Sequence, residues 1–86
     1  MTTANHLRVA CVGAGYFSQF HYDGWARIDR VTLVGSCNRD ITKAQATGLP
    51  AFDDLTAMLS ATQPDLLDII LPPVAHAATI RTALAA

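Results

Sequence analysis

Hydrophobic and polar positions along this chain fall into alternating blocks rather than one repeating period. The run LRVACV at 7–12 is short and apolar on both faces, the pattern of a strand buried within a parallel sheet. From Tyr16 to about Ile28 the apolar positions spread to Phe17, Phe20, Trp25 and Ile28, which predicts a helix with Gly24 as a weak point near its end. VTLVGSC at 31–37 returns to the strand pattern. Asp40 is placed to cap a helix from Ile41 to about Thr47, closed by Gly48. Leu49-Pro50-Ala51-Phe52 has room only for a brief strand. Asp53 or Asp54 then caps a helix carrying Leu55, Met58 and Leu59 on one face, and Pro64 ends that connection. LLDIIL at 66–71 is a further strand, interrupted by Asp68 and stopped by Pro72-Pro73, because proline donates nothing to a ladder. From Val74 to Ala86 the alanine-rich composition is helical.

Strand and helix alternate four times. This predicts an α/β fold, a parallel sheet with right-handed crossovers and helices on both faces. If the segment near Phe52 is the third strand, the sheet order is 3-2-1-4, and the winding reverses between the first and fourth strands. Ligands of open parallel sheets bind at such a reversal. No repeat, linker or internal domain boundary breaks the chain.

The stretch RVACVGAGYFSQFH fits that crevice. Gly13, directly after the first strand, permits a tight turn, and Gly15 lets a ligand approach the backbone. The helix that follows directs free N–H groups and its positive end at the same point, which suits a pyrophosphate. Ser18 stands where a third glycine would allow close helix–strand contact, and serine is small enough to substitute. A tight turn without a ligand has the same spacing, but the strand before it and the helix after it favour dinucleotide binding. Of Tyr16 and Phe17, one packs under the sheet and the other borders the pocket; spacing does not say which.

At the end of the second strand an acid would hold the ribose hydroxyls of NAD. The chain has Cys37-Asn38-Arg39-Asp40 there instead. Asn38 hydrogen-bonds a ribose without repelling a phosphate, and Arg39 suits a 2′-phosphate, so the balance tilts weakly toward NADP. The alternative leaves Arg39 as a solvated loop charge and Asp40 as a helix cap. Pro72, Pro73 and His76 face the glycine turn across the crevice, with His76 either a cleft residue or a helix cap. Asp68 needs a partner in a buried strand, most simply on a neighbouring loop, with a catalytic role as the alternative. His21 reads as structural and His6 as exposed.

Composition changes little in this picture. Net charge is −1, with no basic patch for nucleic acid and no apolar run long enough for a bilayer. The N-terminus lacks the pattern of a secretory signal. Cys11 and Cys37 have neither CxxC nor Cys/His ligand spacing, so they read as buried thiols of a cytoplasmic protein, and no metal site is expected.

Taken together, VGAGYFSQFH, LVGSCNRD, FDDLTAML and PDLLDIILPPVAH resemble the N-terminal part of the Gfo/Idh/MocA oxidoreductases, the glucose–fructose oxidoreductase and inositol dehydrogenase group. The resemblance covers nearly the whole chain from Arg8. It implies a Rossmann-like NAD(P)-binding domain of an enzyme moving hydride between nicotinamide and a hydroxyl carbon of a sugar, polyol or related compound. By the same resemblance Gly13, Ala14, Gly15, Tyr16, Phe17 and Ser18 form the pyrophosphate loop. Asn38 and Arg39 meet the adenosine ribose, and Leu71, Pro72, Pro73 and His76 line the cleft toward the nicotinamide.

The family's Gly-Lys-His-Val strand, its Glu-Lys-Pro motif and its substrate domain have no counterpart in residues 1–86. The resemblance therefore implies an incomplete domain, inactive alone, with catalytic residues, substrate contacts and homo-oligomer interface elsewhere. Lys43, the only lysine, is on the wrong loop to replace the missing one. A nucleotide-sensing module without chemistry is the alternative, and a methyltransferase-like fragment is a more distant one that the Pro-Pro-x-x-His element disfavours.

Overall fold

The run that reads as most buried lies at the middle of the sheet. The computed structural model describes residues 6–15 and 18–85. In it β1 (Leu7–Val12) pairs in parallel with β2 (Val31–Cys37) on one side and with β4 (Leu66–Ile69) on the other. The two-residue β3 (Ala51–Phe52) extends the far side of β2, so the order is β3-β2-β1-β4, as the alternation of elements predicts. Helices α1 (Ser18–Ala26), α2 (Ile41–Gln45) and α3 (Leu55–Thr62) connect successive strands, and α4 (Pro73–Ala85) follows β4.

Period-two alternation along β1 divides the core between the two faces. Ala10 and Val12 join Cys37 and the fully buried Met58 of α3, flanked by Val34, Phe52, Leu55, Leu67, Ile69 and Leu71. Val9 and Cys11 are equally buried and belong to the opposite face, where Cys11 lies beside Tyr22 of α1. Asp54, not Asp53, caps α3: its carboxylate accepts from the Ala57 N–H at 2.9 Å. Asp40 caps α2 in the same manner, and hydrogen bonds from Thr42 hold its exposed carboxyl below the usual range.

Three boundaries differ from expectation. The fourth strand ends at Ile69 rather than Leu71. The Ile70 N–H still reaches the Val12 carbonyl at 2.8 Å, but Leu71 and Pro72 then turn toward α4, and Pro73 is the first helical residue. Proline is well suited to that position because its missing N–H would have no intrahelical partner there. Helix α2 stops at Gln45, and the chain to Gly48 tightens through bonds such as Thr47 N–H to the Ala44 carbonyl at 3.2 Å. Helix α1 ends at Ala26 and continues as similar short-range turns to Ile28.

The packed face of α1 also departs from the apolar spacing. Phe20 is 59% exposed and Ile28 46%, whereas Ser18 is buried and Tyr22 and Trp25 are half-buried. Residues 18, 22 and 25 share one helical face. The strands opposite present polar Asp68 and Ser36, so side chains with a polar tip pack there in preference to plain hydrocarbons.

Candidate functional site

The turn after β1 is built around a residue that has to lack a side chain. Gly13 has φ +106°, and a Cβ placed on it would stand 2.2 Å from the Ile70 carbonyl oxygen. Its N–H donates to the Cys37 carbonyl at 2.7 Å, so one glycine is bonded to the end of β2 and closely approached by Ile70 after β4. Gly15 has a different role. Nothing lies within 4 Å of the Cβ it lacks, so an open space borders its backbone. Ser18 closes the turn through its hydroxyl, which donates to the Gly15 carbonyl at 2.5 Å, while its backbone N–H reaches the same oxygen at 3.1 Å.

Asn38 is part of this architecture. Its Oδ1 accepts from the Ala14 N–H at 3.2 Å and its Nδ2 donates to the Asp40 carbonyl at 3.1 Å. Arg39, beside it, is exposed. Across the strand ends, a cleft of roughly 400 Å³ is lined by Gly15, Ser18, His21, the Ile69–Pro72 segment and His76. His76 Nε2 donates to the Leu71 carbonyl at 2.7 Å, so this histidine caps its own turn and borders the cleft as well. Pro73 is exposed at the start of α4. Tyr16 and Phe17 lie outside the described residues.

Several contributors were not legible in the sequence. Tyr22 donates to the Gly13 carbonyl at 3.1 Å and receives the Ser36 hydroxyl at 2.7 Å, bracing the turn from beneath. Lys43 lines a second hollow beside Ala14 and Gly15, together with Gln19, Asp23 and Thr47. Asp68 finds its partners on helix α1 and not on a loop: its Oδ2 accepts from Trp25 Nε1 at 2.8 Å and from His21 Nδ1 at 2.9 Å.

Burial, reinforced by the nearby Asp68 carboxylate, pushes the Cys11 thiol up to about 12, and burial pushes the Tyr22 phenol up to about 12. The Cys37 thiol is raised as well, chiefly by burial. Both cysteines are free and buried, and at neutral pH they are neutral packing groups rather than nucleophiles. Among the described residues no three metal-ligating side chains converge, and no helix is long and apolar enough to cross a membrane.

A parallel sheet with reversed winding, a glycine turn leading into a helix and an open cleft at the reversal define a dinucleotide-binding α/β domain. The family model described as "Oxidoreductase family, NAD-binding Rossmann fold" (GFO_IDH_MocA) matches residues 7–86, and the chain belongs to that family. Its relatives include a D-apiose dehydrogenase of Paraburkholderia graminis, 32% identical over 95% of this chain and 23% of the relative. The WlbA dehydrogenase of Bordetella pertussis, solved with NADH and UDP-GlcNAcA, is 30% identical, superposes with a TM-score of 0.79, and is matched over 86% of this chain and 24% of its own. A scyllo-inositol dehydrogenase of Lactobacillus casei, solved with NAD(H) and scyllo-inositol, shares the fold at 21% identity and TM-score 0.79, over 93% of this chain and 25% of its own. The chain thus spans about a quarter of the length of these relatives.

Proposed function

We propose that residues 1–86 form the NAD(P)-holding portion of an oxidoreductase acting on a sugar, polyol or related hydroxyl compound. The observation that carries this reading is the open space above Gly15, set between the braced Gly13 turn and the Leu71–His76 wall. Any side chain at residue 15 would project into the volume a diphosphate needs, so the cradle fits the group. When bound, the nicotinamide supplies the hydride-accepting or hydride-donating carbon. The chain's own contribution is binding and orientation: Gly13 to Ser18 hold the diphosphate, and Leu71, Pro72, Pro73 and His76 border the path toward the nicotinamide. The relatives solved with NADH or NAD(H) support this assignment.

Catalytic groups, the substrate pocket and the homo-oligomer interface belong in this reading to parts of the protein outside these residues. The purified chain therefore gives no substrate-dependent NAD(P)H when offered sugars and polyols, and measurable turnover would contradict that assignment. Two neutral, unpaired thiols accord with a cytoplasmic setting.

Titration with NAD and NADP by calorimetry tests the proposal, and saturable binding of either is the expected result. Failure of both to bind at millimolar concentration overturns it. The same titration examines the weak preference for NADP. Asn38 is occupied within the chain and Asp40 by its helix, which leaves Arg39 to meet a 2′-phosphate. Arg39→Ala is expected to weaken NADP by about 3- to 10-fold, the range of one partly exposed charge-assisted contact, and to leave NAD within about twofold. Equal losses for the two would show that Arg39 does not read the phosphate.

A further inference from the structure

The cluster beneath the cleft has chemistry that the reading above does not use. Asp68 Oδ2 receives two donors, Trp25 Nε1 and His21 Nδ1. Its side chain is 17% exposed, whereas that of His21 is 47% exposed. An ionised carboxylate only accepts, so His21 Nδ1 carries a hydrogen whatever the charge of the ring. Nε2 is then a lone pair in the neutral imidazole and a donor in the imidazolium. Among the described residues Nε2 has no partner, and His21 borders the same cleft as Gly15 and Ser18.

We propose that His21, held by Asp68, is a cofactor contact: its Nε2 donates to the dinucleotide's diphosphate as the imidazolium, so that binding is coupled to proton uptake. This rests on the proposed function. An imidazolium between Asp68 and a diphosphate has an anion on each side, and the bound ligand favours the charged ring over the neutral one. The sign follows directly. Affinity is greatest at low pH and declines as the ring loses its proton.

The other titratable groups around the ring leave this assignment testable. Asp68 faces it from β4, and the Cys11 thiol of β1 and the Tyr22 hydroxyl of α1, which act on Asp68, both stay protonated across neutral pH because burial holds them near 12. Asp23, also on α1, lines the hollow on the other side of the turn. His76, at the start of α4, borders the same cleft and is the competing candidate. Its own Nε2 is already used by the Leu71 carbonyl.

Affinity for NAD, whose diphosphate keeps its charge across the range, is measured by calorimetry between pH 5.5 and 8.5. Buffers of different ionisation enthalpy report proton uptake directly. The unmodified chain is expected to lose about tenfold in affinity over that interval, equivalent to about 1.4 kcal/mol, with about half a proton taken up at the peak. His21→Asn retains a donor for Asp68 and deletes Nε2, and its affinity is expected to be flat. His76→Gln retains the donor to Leu71, and the slope persists. A flat profile with no proton uptake in the unmodified chain overturns the contact while the dinucleotide reading stands. So does a slope that survives His21→Asn or vanishes with His76→Gln. Absence of NAD binding at every pH overturns both readings.

Discussion

Gly13→Ala is expected to destabilise the fold by about 3–5 kcal/mol and to remove dinucleotide binding. Two independent penalties combine at this position. A backbone at φ +106° costs an L-residue about 1–3 kcal/mol. The added methyl also meets the Ile70 carbonyl oxygen at 2.2 Å, and that oxygen is main chain with no rotamer to escape into. Relief requires β4 to move away from β1, straining the Ile70-to-Val12 and Gly13-to-Cys37 hydrogen bonds that hold the turn. A domain of this size has about 4–13 kcal/mol to lose, so the variant is near or beyond its unfolding threshold at 25 °C. Urea unfolding followed by circular dichroism, with an NAD titration on the same sample, measures both effects. A variant within about 1 kcal/mol of the parent and binding NAD normally would rule out the close approach.

Met58→Ala is expected to destabilise the chain by about 2–5 kcal/mol without touching the cleft. Met58 is fully buried and packs between the strands and α3, within 3.3 Å of where a Cβ on Gly35 would lie. Truncation leaves a void that β2 and the two-residue β3 fill poorly, because Gly35 has no side chain to expand into it. The urea midpoint should fall with an unchanged slope, and Met58→Leu should recover most of the loss by restoring volume. The site is on another part of the sheet, so NAD at about 100 times its Kd should return about 2.7 kcal/mol to this variant as to the parent. An unshifted midpoint would show that Met58 is not the keystone of that face.

The strands were legible in the sequence because a central parallel strand is covered on both faces, and LRVACV and VTLVGSC show it as short, mostly apolar runs with no strict alternation. The ends of elements were less so. Leu71 is as apolar as Ile69, and only the turn into α4 separates them. The packed face of α1 was not legible in the sequence, because its packing is decided by Asp68 and Ser36, far away in sequence. A spacing of aromatics records hydrophobicity but not which strand residue waits opposite. The glycine turn and the Leu71-Pro72 segment opposite it follow from topology, so their juxtaposition was foreseeable. The links from Asn38 to Ala14 and from Tyr22 to Gly13 depend on register and rotamer, which no local pattern encodes.

The contact between Gly13 and Ile70 bears on how the protein is made. A nascent chain that has emerged only as far as Ser60 already displays both glycines, but the carbonyl against which the turn is shaped is still inside the ribosome. The cradle is completed only after β4 emerges and docks beside β1. Cofactor capture during synthesis therefore has an earliest possible moment, set by the arrival of Ile70 and not by the appearance of the glycines.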